Sequence, residues 1–328
     1  MTPMSQLSRL DRYRTALRPG SVQPDSQLAA LIIASGLGPF WHEETSAEAF
    51  KPARMAAVAL YAAQIPALRE IHEVLDAAGI AFAVFKGAAN RELLYADPSL
   101  RLCYDLDLLV ARADRHRAVE ALQSVGFTAY PDANSISREL ILSRNVVDID
   151  LHWGVLRAGR LRYEPAEEIL ERRRKVNGLW MPSTAASVLL LLVHPAFAKH
   201  VSSTEMALHR VLDIAEWWRK YPVDLAALDA QLKKQGVRTA AWTVLEWVKL
   251  LLPEFACDTT AWQPLRLRRA WLRTWLRNDW PGRMNAWHAL RLLAFSPFLH
   301  DTPSDAWRAL QGWRFARRNR DADLAEFS

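Results

Sequence analysis

The segment Tyr104-Asp105-Leu106-Asp107-Leu108-Leu109-Val110 constrains this chain more than any other. It reads as an apolar strand that carries two carboxylates two residues apart. Side chains on a strand alternate faces, so Asp105 and Asp107 project the same way. Adjacent carboxylates repel each other, and burying them is costly unless a cation lies between them. A second strand with the same pattern follows, Asp148-Ile149-Asp150-Leu151-His152-Trp153, in which Asp148, Asp150 and His152 share one face. Laid beside the first strand, it would add Asp150 as a third carboxylate to a site for hard divalent cations such as magnesium. The other reading of such a strand is a solvated acidic face paired with arginines.

A turn upstream favours the metal site. In Phe85-Lys86-Gly87-Ala88-Ala89-Asn90 a buried strand ends and a helix begins. Glycine there lets the backbone approach a phosphate, and a helix N-terminus offers free N–H groups. Lys86 adds a charge suited to a triphosphate. Arg101, four residues before Asp105, could bind phosphate or pair with an aspartate.

Around these strands the chain divides into three zones. Residues 1–79 read as an N-terminal helical segment. Within it, apolar residues from Met55 to Leu75 recur at helical spacing, Pro66 is a candidate kink and Gly79 a C-cap. Residues 80–160 alternate strands at 80–85, 104–110 and 127–130 with helices at 88–95 and 114–126. A hairpin over 137–152, turning near Ser143–Asn145, completes this catalytic core. Residues 161–328 read as all helix, punctuated by prolines, with candidate helices at 165–175, 185–200, 204–221, 225–234, 238–252, 265–275, 284–294 and 304–315. The expected fold class is α+β, a small mixed sheet flanked by N-terminal helices and a large C-terminal helical region.

Composition narrows the partners. Of 328 residues, 51% are hydrophobic and 24% charged, which excludes disorder, and the net charge of +6 favours polyanions. The longest apolar run, 187–197, is too short to span a membrane and contains His194 and Pro195. The early charges Arg9, Asp11, Arg12 and Arg14 argue against a secretion signal, and two distant cysteines suit a reducing cytoplasm. The 14 tryptophans read chiefly as core material, with a base-stacking surface as the alternative.

Lys86-Gly87, Arg101, Asp105-Leu106-Asp107-Leu108-Leu109-Val110 and Asp150-Leu151-His152-Trp153 together resemble the uncharacterised bacterial nucleotidyltransferase family of the polymerase-β-like superfamily, over roughly residues 80–220. Superfamily members usually carry Gly-Ser at the turn, where this chain has Lys86-Gly87-Ala88. The resemblance implies that Asp105 and Asp107 hold metal, that Asp150 completes the site and that Gly87 contacts phosphate. It implies magnesium, two ions, with manganese as the alternative. The substrate would be a nucleoside triphosphate such as ATP. Helices after the catalytic unit close over the nucleotide in related enzymes, so His194 and His200 could face the cleft with Asp148 and His152; helix packing is the other reading of the two helical histidines. Arg210 and Asp213, three apart on one helix, are expected to pair with each other. The expected activity is transfer of a nucleoside monophosphate to a hydroxyl or phosphate on a small molecule, sugar or natural-product peptide, with pyrophosphate released. Protein nucleotidylation and non-catalytic binding of nucleotide or nucleic acid are the alternatives, nucleic acid not being favoured. The acceptor is left open.

Overall fold

A computed structural model describes residues 8–131, 138–198, 208–280 and 294–325. Three short helices, α1 (Arg9–Ala16), α2 (Ser26–Ala34) and α3 (Gly38–Thr45), lead into the long α4 (Lys51–Ala77). Pro66 lies inside α4, which remains one assigned helix. Its buried residues, Ala57, Gln64, Leu68, Ile71 and Leu75 among them, fall at helical spacing along one face. Gly79, at a φ of 65°, lets the chain reverse, and the Ile80 N–H donates to the Leu75 carbonyl at 2.9 Å.

The middle of the chain then forms β1 (Phe82–Val84), α5 (Lys86–Leu94), β2 (Asp105–Val110), α6 (Arg115–Ser124), β3 (Thr128–Tyr130), β4 (Glu139–Arg144) and β5 (Val147–His152). The five strands make one mixed sheet in the order β1-β2-β5-β4-β3. β2 and β5 run parallel, and every other neighbouring pair is antiparallel. Leu106, Leu108, Val110, Ile149 and Leu151 share one face and are fully buried, so this side of β2 and β5 belongs to the core. The opposite side carries Asp105, Asp107, Asp150 and His152. The β4–β5 hairpin turns at Asn145, whose φ of 56° suits asparagine.

The remainder comprises α7 (Ala166–Glu171), β6 (Arg174–Val176), β7 (Leu179–Met181), α8 (Thr184–Ala198), α9 (Leu208–Lys220), α10 (Leu225–Gln235), α11 (Arg238–Leu251), α12 (Arg266–Arg277) and α13 (Pro303–Ala325). The β6–β7 hairpin departs from the all-helical reading of this region. The Asn177-Gly178 pair turns it with both residues at positive φ, and β7 packs beside β1. The helix expected over 284–294 lies outside the described residues apart from Ala294, as do the end of the helix expected at 185–200 and the start of that at 204–221. Trp41, Trp217, Trp242 and Trp275 are fully buried, as the core reading requires, whereas Trp307 is exposed.

Asp213 in α9 is wholly buried. It accepts hydrogen bonds from Arg101 Nη2 at 2.9 Å, the Tyr95 hydroxyl at 2.8 Å and Asn90 Nδ2 at 3.2 Å. Its partner is therefore Arg101 rather than Arg210, because Arg101 is itself buried and brings the fork geometry that a carboxylate matches. This cluster fastens α9 to α5 and to the loop that enters β2. Removing one partner of such a pair strands the other charge, so Asp213→Ala is expected to cost ~3–5 kcal/mol in chemical denaturation. Arg101→Met/Asp213→Leu should recover most of that loss, while Leu267→Ala, at an 86% exposed position, should stay within ~0.5 kcal/mol.

Candidate functional site

The β2–β5 register sets Asp107 opposite Asp150 and Asp105 opposite Asp148. Neighbouring strands lie ~4.8 Å apart, so paired residues on one face meet. Asp107, Asp150 and His152 each offer a ligand atom within 4.8 Å of the others, a group that could hold a metal ion. His152 Nε2 lies 2.9 Å from Asp107 Oδ1, and its Nδ1 lies 3.2 Å from Glu139 Oε2 on β4, the residue it faces in the ladder. The Nε2–H tautomer donates to Asp107; with a cation bound, the Nδ1–H tautomer, donating to Glu139, would leave the Nε2 lone pair for the metal.

The electrostatics of the three carboxylates are unequal. Burial raises the pKa of Asp105, and the neighbouring Asp107 raises it further. Asp150 is pushed up to about 7, first by burial and then by Asp105, Asp107 and Glu139. Asp107 goes the other way: burial opposes its charge, but Lys86 and His152 outweigh burial and hold it well below the usual carboxylate range. Negative charge is thus crowded onto one sheet face, with Lys86 close by. A divalent cation fits this set of hard oxygen donors and one imidazole.

That lysine comes from the strand-to-helix turn. Lys86 adopts a φ of 52°, rare for a residue with a side chain and costing ~1 kcal/mol or more. Its Nζ lies 2.6 Å from Asp107 Oδ1 and 3.1 Å from His152 Nε2. Gly87 is needed for close approach: a Cβ there would stand 3.0 Å from Cys103 Sγ and 3.2 Å from Arg101 Nη1. Arg101 lines the same cavity, while its guanidinium is committed to Asp213.

The cavity measures about 380 Å³. Opposite the carboxylates it is walled by α8 and α9, which supply His194 and Arg210. Burial, and then the charges of Lys86 and Arg210, keep His194 neutral by lowering its pKa well below the ordinary histidine range. Arg210 is lowered to about 10, by burial and then by Arg101, and its Nη1 has no hydrogen-bond partner among the described residues. Asp148 shares the face of Asp150 but is exposed outside the cavity and accepts from the Ser143 hydroxyl at 2.5 Å. His200 lies outside the described residues.

Glu139 and the placement of Arg210 in the cavity, apart from Asp213, escaped the sequence reading. Glu139 was reachable, because the hairpin register fixes it opposite His152. Arg210 was not, since its expected partner Asp213 turns out to be claimed by Arg101.

The raised pKa of Asp150 has a direct consequence for stability. The metal-free fold retains a proton that the unfolded chain releases, so stability should fall as pH rises from the ordinary carboxylate range through about 7. A divalent cation competes with that proton. Thermal denaturation with and without magnesium should therefore show a larger stabilisation at about pH 8 than at about pH 6, and Asp150→Asn should flatten the difference.

No curated protein is a significant match to this chain. A family profile, however, matches residues 33–253, reaching from α2 through the sheet to the end of α11 and so well beyond the segment that carries the motif. That span takes in both the carboxylate face and the helical wall opposite, and the chain belongs to the uncharacterised nucleotidyltransferase family.

Proposed function

We propose that the protein transfers a nucleoside monophosphate from a nucleoside triphosphate to a hydroxyl or phosphate of an acceptor and releases pyrophosphate. The observation that supports this most is the parallel pairing that sets Asp107 against Asp150, with Asp105 beside them, in a cavity that Lys86, His194 and Arg210 also line. Asp105, Asp107 and Asp150, with His152, are the residues that would hold divalent cations, magnesium in the first place, two ions in this reading. Bound cations supply polarisation of the reacting phosphate and counter-charge for the departing pyrophosphate.

The chain's own groups account for the remaining steps. Lys86 and Arg210 offer positive charge to the phosphates, and the turn at Gly87 brings the backbone close to them. Neutral His194 can donate to or accept from a phosphate oxygen or the acceptor. The acceptor oxygen attacks the α-phosphorus, its bond to phosphorus forms, and the bond to the bridging oxygen of pyrophosphate breaks with the electron pair leaving on that oxygen. In this reading Asp150, ionised beside the cations, takes the acceptor's proton.

Calorimetric titration of the four common nucleoside triphosphates with magnesium tests this reading. At least one should bind with magnesium dependence, and Asp105→Ala/Asp107→Ala should weaken it by ~100-fold or more. Equal binding by a folded double variant, or no triphosphate bound by the wild type, contradicts it.

A further inference from the structure

A second cationic element lines the same cavity and has no role in the chemistry above. The loop between β5 and α7 places Arg157 and Arg160 on the cavity wall. Arg160 donates to the Ser296 hydroxyl at 3.2 Å and lies over the Phe197 ring at 5.3 Å, yet pairs with no carboxylate among the described residues. Arg157 is exposed and makes no side-chain hydrogen bond or ion pair among them. The nearby acids are committed elsewhere: Glu164 to Arg138 at 2.7 Å, and Asp305 to Arg162 and Arg308. Burial and then Arg157 lower the pKa of Arg160 to about 10. His300, tilted against the Phe197 ring, is held neutral by burial and then by Arg160.

This unmatched charge is held in place. Gly159, at a φ of 78°, lies against the backbone of α13, where a Cβ would come 2.5 Å from the Arg308 carbonyl oxygen. Gly312 on α13 lies reciprocally against the loop, where a Cβ would come 2.2 Å from the Ala158 carbonyl oxygen. Two glycines thus let loop and helix backbones touch, and α13 buttresses the arginine-bearing turn. Incompletely satisfied guanidiniums on a fixed backbone in a cavity are suited to bind an oxyanion. The loop is also electrostatically separate from the metal-type site. Asp105 and Asp107 act on Arg210, and Lys86 and Asp107 on His194, whereas no carboxylate acts appreciably on Arg160.

Resting on the nucleotidyl-transfer reading, we propose that Arg157 and Arg160 form a second subsite that holds an anionic group, phosphate or carboxylate, of the acceptor. The acceptor is therefore an anionic small molecule or an anionic group on a larger one, rather than a neutral alcohol.

The test is calorimetry on the full chain with magnesium and a triphosphate whose α,β-bridge is methylene. Glycerol 3-phosphate, glycerate and glycerol are then titrated into the loaded protein. Binding of glycerol 3-phosphate or glycerate, but not glycerol, is expected, and the stronger of the two identifies the anion. Arg157→Gln/Arg160→Gln should weaken that binding tenfold or more while the triphosphate affinity stays within about twofold. Should the double variant not fold, Arg157→Gln at its exposed site gives the same comparison, with a loss of about threefold or more. Anion binding unchanged in the folded variants, or absent from loaded wild type, overturns the proposal. Failure of the triphosphate itself to bind is a separate result and counts against the nucleotidyl-transfer reading instead.

Discussion

Three carboxylates on one face of a small sheet create a repulsion around which the rest of the site is organised. Asp107 is kept charged by Lys86 and His152, while Asp105 and Asp150 sit in surroundings that favour their protons. Such an arrangement lowers the stability of the bare fold, and a bound cation would relieve the repulsion. The surrounding features follow from that repulsion. The left-handed backbone at Lys86 turns its ammonium onto Asp107, Glu139 orients His152, and Gln64 on α4 secures the entry to β2 by donating to the Cys103 carbonyl at 3.0 Å.

The helices supply the complementary charge. α9 brings Arg210 to the cavity, beside the neutral His194 of α8, and α13 steadies the loop of Arg157 and Arg160. The cavity thus brings the sheet carboxylates together with Lys86, Arg210, Arg157 and Arg160, the mixed charge that a cation-bound polyphosphate requires. The α9 wall is held by a buried ion pair, Arg101–Asp213, in which burial makes each partner indispensable to the other. Arg101 therefore contributes to the cavity chiefly by placing α9, although its sequence position beside the acidic strand suggested phosphate binding equally well.

Much of the fold was legible because its signals are local. Period-two alternation located β2 and β5, helical spacing and Gly79 bounded α4, and prolines separated the later helices. Strand parity alone grouped Asp105 with Asp107, and Asp150 with His152. Parity could not say that Asp148 would stand exposed at the outer end while Asp150 faced the cavity, because that depends on which strand end the helices cover. The β6–β7 hairpin was missed because its strands are three residues each and resemble the end of a helix in composition. The pairing of Asp213 with Arg101 spans 112 residues, and no pattern within a helix reveals such a contact. Arg160 lies in an irregular loop, where its exposure to the cavity depends on the Gly159–Gly312 contact and so on the folded chain.

The claim at the centre of this account is that the carboxylate face binds a divalent cation. Manganese titration followed by electron paramagnetic resonance, with ATP present, tests it most directly. The account predicts that wild-type protein removes the free-ion signal beyond the amount ATP alone removes, and that Asp107→Asn, folded to the same extent, abolishes the excess. A free-ion signal identical with and without the wild-type protein, or unchanged between wild type and Asp107→Asn, would contradict it.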